Sequence, residues 1–380
     1  MTTEDPWRVG DRFEGVRVGA VAHGGHWVAR HEGRVLFVRH ALAGEVVTVE
    51  VTGLAKRYAF ADAVAVADPS PHRVTAPCPV ARACGGCDFQ HVEVGHQREL
   101  KRQVVAEQLR RLAGLDWDGS VEALVPDSLG WRRRMRYHRS PDGWGLRAKG
   151  SHEVVELPEQ GCLIASPALA RPDAAAGGED TLVGADALDG PVWLHPGEDV
   201  VVRERAAART WAVRADGFWQ VHPQAADVLA DAVLGALAPA PGERALDLYC
   251  GVGLFSGVLA DAGVTVTGVE GSADAVALAR GNVPGARFHA GPVDLVLRRL
   301  RGRVDLVVLD PPRVGAGRGV LHEVCRRRPR AIAYVACDPA ALARDLAVAS
   351  DAGYQAESVR AFDLFPMTHH VECVALLVPR

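Results

Sequence analysis

The sequence predicts an α/β protein: a doubly wound, mostly parallel sheet in the C-terminal half, preceded by a small β-barrel and a mainly-β middle segment. Three observations predict it. From Gly242 onward, short apolar runs alternate with segments of helical period, the pattern of a parallel sheet with helices on both faces. Residues 8–68 carry Val-rich bursts separated by Gly and polar residues, without helical period, which suits short strands closing into a barrel. Residues 130–215 return to short strands and Gly/Pro turns. The expected units are residues 1–68, 69–215 and 216–380.

Within the first unit, Arg12–Val18, Arg34–Val38 and Glu45–Val51 read as strands, and Pro69-Ser70-Pro71 marks the boundary. Val94, Leu100, Val104, Leu109 and Leu112 recur at helical spacing and predict a helix over 94–113. The stretch Arg171–Asp189 is rich in Ala, Gly and Asp and reads as a surface loop. In the last unit, Ala245–Cys250 is a buried strand, followed by the turn Gly251-Val252-Gly253 and a helix. Val264–Glu270 is the next strand and Ala273–Arg280 the next helix. Strands Val304–Asp310 and Ala331–Ala336 follow, and two extended runs, Ala356–Phe362 and His370–Val378, close the chain. Sheets of this type bind ligands at the carboxyl ends of their strands, where the reacting and binding residues singled out below in this unit fall.

Composition narrows the class. The chain is 48% hydrophobic and 24% charged, with no uninterrupted apolar stretch long enough to cross a bilayer. The start, MTTEDPWRVGDR, lacks a basic segment followed by an apolar one, so the expected compartment is the cytoplasm. Thiols stay reduced there, which makes the eight cysteines informative. Cys78, Cys84 and Cys87 crowd together and, with distant Cys162, suit a tetrathiolate site. Spacing alone does not separate zinc from an iron–sulfur cluster. The net charge of −4 argues against a general nucleic-acid coat. One local run does the opposite: Trp131 to His138 mixes Arg132, Arg133, Arg134 and Arg136 with aromatics, a composition that grips phosphates and stacks bases, or else a solvated Arg-rich strand.

The turn Asp247-Leu248-Tyr249-Cys250-Gly251-Val252-Gly253 lets the backbone approach a ligand and enter a helix. Glu270 closes the next strand, where a carboxylate can take both hydroxyls of a ribose. Ser256 stands where a dinucleotide fingerprint has its third glycine, which makes a nicotinamide dehydrogenase the weaker alternative. A glycine turn with a downstream acid suits S-adenosylmethionine, which has no pyrophosphate to cradle.

Three further segments complete the pattern: Asp310-Pro311-Pro312-Arg313, Tyr334-Val335-Ala336-Cys337-Asp338-Pro339, and Phe362 to Glu372 with Pro366-Met367-Thr368-His369-His370 inside it. With these the chain closely resembles, over nearly its whole length, the RNA uracil-5-methyltransferases that act on tRNA and 23S rRNA. The N-terminal barrel resembles the TRAM domain that family often carries, and Phe218-Trp219-Gln220-Val221-His222-Pro223 resembles the element preceding its catalytic domain. The resemblance implies a class I, Rossmann-like methyltransferase domain, and a central domain whose Cys78, Cys84, Cys87 and Cys162 hold a [4Fe–4S] cluster, structural or RNA-contacting. It implies Cys337 as nucleophile and Glu372 as base. Tyr249, Glu270, Gly251 and Gly253 would hold S-adenosylmethionine, and Gln220 and Asp310 the cofactor or the pyrimidine edge. RNA is the implied partner of a monomeric enzyme.

The chemistry explains why such residues are needed. Uracil carbon 5 is too weak a nucleophile to attack a sulfonium methyl; adding a thiolate at carbon 6 makes carbon 5 an enolate carbon that can. A base must then remove the carbon 5 proton. Asp338 as N-cap and Pro339 at the first helical position predict that Cys337 stands just before a helix, where its thiol pKa falls. Cys250, Cys325 and Cys373 read as buried thiols. Two positions depart from the family, which commonly has Asn at 338 and at 222; both bear on thiolate stability and substrate contacts. The rival readings are a cytosine-5 or adenine-N6 methyltransferase, although Arg313 stands where the adenine enzymes place an aromatic, and a non-catalytic RNA-binding protein.

Overall fold

A computed structural model describes residues 7–172 and 180–380. Strands β1 (Arg12–Ala22), β2 (His26–His31), β3 (Arg34–Arg39), β4 (Val46–Leu54) and β5 (Tyr58–Asp68) close into a barrel in the order β1-β2-β3-β5-β4. Alternation places Val47, Val49 and Val51 of β4 inward, against Trp27, Leu36, Val38, Ala59 and Ala61, all buried. β5 packs through alanines, so its inward face carries no bulky apolar pattern. That is why β5 escapes a reading tuned to Val and Leu.

Helix α1 (Val94–Gln108) continues through a wider turn, Leu109–Ala113, and stops at Gly114 with φ +64°. Its Val105 and Leu109 share a core with Leu342 and Leu346 further along the chain. β6 (Val121–Ala123) then joins the edge of the C-terminal sheet, parallel to its neighbour there, so the 69–215 segment is not self-contained. β7 (Arg134–Ser140), β8 (Gly143–Arg147), β9 (Val154–Glu156), β10 (Thr181–Ala187) and β11 (Gly190–Leu194) form a sheet in the order β11-β10-β7-β8-β9. β12 (Val201–Ala206) and β13 (Arg209–Arg214) make a separate hairpin.

The expectation of a surface loop over Arg171–Asp189 is corrected here. Residues 173–179 lie outside the described residues, but Thr181–Ala187 is β10, paired with β7 on one side and β11 on the other. Its small residues make room. A Cβ on Gly184 would stand 2.8 Å from the Trp193 ring and 3.0 Å from Leu169, so the low bulk that suggested a loop is what lets this strand pack.

The C-terminal unit alternates as expected. α2 (Ala225–Leu237) leads into β14 (Arg244–Leu248), α3 (Leu254–Asp261), β15 (Thr265–Glu270), α4 (Ala273–Asn282), β16 (Arg287–Ala290), α5 (Val293–Arg299), β17 (Leu306–Leu309), α6 (Gly317–Arg326), β18 (Ala331–Ala336) and α7 (Pro339–Asp351). β20 (Glu372–Pro379) runs antiparallel to both its neighbours, β18 and β19 (Tyr354–Asp363). The sheet order is β16-β15-β14-β17-β18-β20-β19-β6. β14 pairs in parallel with β15 on one side and β17 on the other, which is the switch point where such sheets open a crevice. Because β20 runs against β18, its first residue, Glu372, comes to the same edge as the end of β18, with Ala336 opposite Cys373.

Candidate active site

The first half of the site hangs from β14. After Leu248 the backbone turns left-handed three times, at Tyr249 (φ +65°), Gly251 (+53°) and Gly253 (+96°). Tyrosine in that region is uncommon and marks an imposed conformation. Glu270 ties the turn down: one carboxylate oxygen accepts the Gly251 N–H at 3.1 Å, the other the Ser272 N–H at 2.8 Å. Asp247 is fully buried beneath and accepts the Ser256 hydroxyl at 2.6 Å. Burial pushes its carboxyl up to about 6. Ser256 is therefore a buried donor and not merely a missing glycine. The pairing of Asp247 with Ser256 is not among the sequence expectations; its signal is an acid nine residues before a serine across a glycine turn.

Asp310, just past β17, sits between the two halves. Burial and the negative charges of Asp247 and Glu270 push it up to about 7. The turn that follows is held by α7: Asp345 accepts the N–H groups of Ala316 at 2.7 Å and Gly317 at 3.2 Å, and the Tyr334 hydroxyl at 2.5 Å.

The second half hangs from β18. Cys337 follows the strand, Asp338 caps α7 by accepting the Ala341 N–H at 2.7 Å, and Pro339 opens the helix. Cys337 is half-buried, whereas the other seven cysteines are buried. It lines a cleft of about 140 Å³ with His23, Arg313, Asp338, His369 and His370. The expected lowering of its thiol is overturned: burial and the negative charges of Glu372, Asp310 and Asp338 push it up to about 12, with Arg313 opposing. A helix start favours a thiolate, but partial burial and three carboxylates act the other way. Glu372 is buried, and desolvation followed by Asp310 raises its carboxyl well above the ordinary range.

The loop between β19 and β20 is anchored by the middle segment. Lys101, fully buried on α1, pairs with Asp363 at 2.5 Å and donates to the Phe365 carbonyl at 3.0 Å. Gln97 accepts the Met367 N–H at 2.9 Å, and the N–H groups of Asp88 and Phe89 both donate to the Met367 carbonyl at 3.0 Å. Asp88 also meets the His369 ring at 2.5 Å and Lys149. Arg313 donates to the His370 ring at 3.2 Å, and burial holds His370 near 2 and thus neutral.

Other expected residues sort less evenly. Cys78, Cys84, Cys87 and Cys162 line one pocket, with apolar Leu146, Leu157 and Ile164 around them. Their sulfurs take N–H donors: Gly86 to Cys84 at 3.4 Å, and Ile164 and Ala165 to Cys162. Among the described residues no three His, Cys, Asp or Glu stand close enough for a single metal ion. Gln220 is half-buried in the loop between β13 and α2, after Trp219, which packs on Trp211. His222, the other departure, is buried: its Nε2 meets the Pro126 carbonyl at 3.0 Å and its Nδ1 accepts the Gln224 N–H at 3.2 Å. It is a neutral buried bridge between two loops.

The arginine run is largely corrected. Arg134 is buried, paired with Glu204 at 3.0 Å, and donates to the carbonyls of Arg214, Ala215 and Gly217. Arg133 also reaches Glu204, at 3.3 Å, and Arg132 donates to the Arg134 carbonyl. Trp131 and Tyr137 are buried too. Arg134 and Arg136 stand two apart on β7 and so share a face, but Glu204 and the carbonyls of residues 214–217 cover Arg134, and only Arg136 of the four is exposed.

Comparison with known proteins gives a consistent picture. Residues 6–64 match the TRAM domain family, 223–327 the methyltransferase small domain, and 294–380 the tRNA (uracil-5-)-methyltransferase family. A Streptomyces avermitilis protein named as an uncharacterized RNA methyltransferase is 47% identical, covering 98% of this chain and 99% of that one. A 23S rRNA (uracil(1939)-C(5))-methyltransferase of Shewanella sp. strain MR-4 is 32% identical, with 93% of each chain covered. The solved tRNA (uracil-54, C5)-methyltransferase of Pyrococcus abyssi, in complex with S-adenosyl-L-homocysteine, shares the fold at a TM-score of 0.73. It is 24% identical, covering 96% of this chain and 99% of that one.

Proposed function

The chain belongs to the family of S-adenosylmethionine-dependent RNA uracil-5-methyltransferases, and from that premise we propose how its own residues carry the reaction. Cys337 adds to carbon 6 of a uridine in tRNA or 23S rRNA, forming the C–S bond and an enolate across carbons 5 and 4. Carbon 5 is then the nucleophile for the methyl group that bound S-adenosylmethionine would supply, its S–CH3 bond breaking to leave S-adenosylhomocysteine. Glu372 then removes the carbon 5 proton, the C–S bond breaks, and the thiolate leaves. The observation that carries this reading is the meeting of Cys337, Glu372 and Asp310 at one end of the neighbouring strands β18, β20 and β17, close enough to perturb one another's ionisation. A carboxyl raised by burial is suited to accept a proton and to give it up again.

Tyr249, Gly251, Gly253, Glu270, Asp310 and Gln220 are the proposed S-adenosylmethionine contacts. The fit is supported by a buried oxygen of Asp247 with no partner among the described residues, directly under the glycine turn. For the RNA, exposed aromatics replace the arginine run: Tyr58 and Phe60 are 37% and 38% exposed and cluster with Phe37 and His26 on the barrel. Such rings stack bases. No helix among the described residues is long and apolar enough to cross a membrane. We place the enzyme in the cytoplasm, because its substrate is RNA and its buried thiols are unpaired.

The four cysteines are proposed to bind a [4Fe–4S] cluster. The four thiols line one pocket walled by apolar side chains, and four cysteine thiolates are the donor set such a cluster would take. The cluster would fix the Cys87–Asp88 segment, and through Asp88 and Phe89 the Met367–His369 loop.

The test is direct. Cys337→Ala should abolish methylation, and RNA carrying 5-fluorouridine should trap the wild type as a covalent adduct, since fluorine cannot leave as a proton. Glu372→Gln should accumulate a covalent methylated complex. Near-normal turnover by Cys337→Ala would end the proposal.

A further inference from the structure

The β1–β2 turn of the barrel, His23-Gly24-Gly25, reaches into the catalytic cleft. His23 Nε2 lies 2.9 Å from Asp338 Oδ2, while the other oxygen of the same carboxylate caps α7. The turn is seated closely: a Cβ on Gly25 would stand 3.0 Å from His369 Cβ and 3.2 Å from Asp88 Cγ. His23 and Cys337 line the same cleft although more than three hundred residues separate them in sequence. Asp338 is the neighbour of the reacting thiol, and its partner comes from a different unit of the fold.

We propose that His23 is a positioning residue for the methyl-transfer site: by binding Asp338 it fixes the Cys337 loop and offsets the carboxylate charge beside the thiol. The proposal rests on the reading of Cys337 as nucleophile. Burial pushes Asp338 up, but the His23 hydrogen bond and the Ala341 N–H together hold its carboxyl below the ordinary range, so it is ionised beside Cys337. The imidazolium form of His23 is the one that offsets that charge. The other charged or titratable groups bearing on the pair are Arg344 on α7, Arg313 and Asp310 after β17, Glu372 and Cys373 on β20, and His369 and His370 in the preceding loop. Of these, Arg344 and Arg313 are the cations. Arg344 acts on Asp338 and Arg313 on Cys337, whereas His23 is the group hydrogen-bonded to the free oxygen of Asp338.

The experiment is a cycle on the full-length protein: wild type, His23→Gln, Asp338→Asn and the double variant. The readout is the iodoacetamide alkylation rate of Cys337 against pH, followed by peptide mass. Glutamine keeps an N–H donor and removes the charge. His23→Gln should slow alkylation near neutral pH by about threefold, as an uncompensated neighbouring anion raises the thiol. Asp338→Asn in the same chain should restore the rate, since the charge to be offset is gone. In turnover, His23→Gln should lower kcat more than it raises KM for RNA, and the deficit should close as pH rises. A His23→Gln rate equal to wild type overturns the proposal, and so does a double variant as slow as His23→Gln. Alkylation does not require methyl transfer. If Cys337→Ala were to retain activity, the nucleophile assignment would fall while the alkylation cycle still judged His23.

Discussion

At the scale of single residues, the site is a set of acids held out of water. Asp247 is the case whose consequence for stability is sharpest. Its folded-state pKa, about 6, lies above the ordinary value of 3.8, so the folded chain binds this proton more tightly than the unfolded one. Its ionisation therefore costs stability as pH rises from about 4 through about 6. Asp247→Asn keeps an oxygen for the Ser256 hydroxyl and removes the charge. Urea denaturation should show the variant more stable at pH 7, by up to about 3 kcal/mol from 1.36 kcal/mol per pKa unit, with no gain below pH 4. The same variant should bind S-adenosylmethionine more weakly. Equal stability of the two proteins at pH 7 would mean that Asp247 is not strained by its burial.

At the scale of elements, β7 separates two uses of arginine. Arg134 is enclosed, and its loss would leave Glu204 buried without one of its two cations. Breaking a buried pair in this way costs about 3–5 kcal/mol. Arg134→Met should therefore lower the melting temperature markedly, whereas Arg136→Ala should leave it nearly unchanged. If either touches RNA it is Arg136, and its removal should lessen the dependence of RNA affinity on salt by about one phosphate contact. A stable Arg134→Met protein with a flattened salt dependence would return the whole strand to the RNA surface. The composition of residues 131–138 was legible in the sequence, but Arg134 and Arg136 share one face of β7, so strand period alone does not separate the enclosed one from the exposed one. Which arginines met Glu204 depended on β12, some seventy residues away.

At the scale of the whole molecule, the loop between β19 and β20 is a shared construction. Residues 363–370 are gripped by Lys101 and Gln97 from α1 and by Asp88, one residue past Cys87. The cluster would thus act on chemistry through position and not through electrons. Anaerobically purified protein should be brown with iron and sulfide near four per chain; colourless protein with one zinc would end that assignment. Cys87→Ser should lower the iron content and increase hydrogen exchange in residues 365–371, while β14 and β15 stay protected. Unchanged exchange in the loop would separate the cluster from the active site.

What the sequence by itself determined is local. Period-2 and period-3.6 patterns set the barrel strands, α1 and the alternating C-terminal sheet, because burial of one face is written into each segment. The short motifs around Cys337, Glu372, Asp310 and Gly251 were legible because strand ends and turns use particular residues at fixed spacing. What only the tertiary structure decided is long-range. Seating β10 as a strand took Trp193 above Gly184, and burying Arg134 took Glu204. Raising the Cys337 thiol took its partial burial and the convergence of Glu372, Asp310 and Asp338 around it. Bringing His23 to Asp338 took closure of the barrel against α7. Charge and desolvation act through space, so a chain read along its length cannot sum them before it has folded.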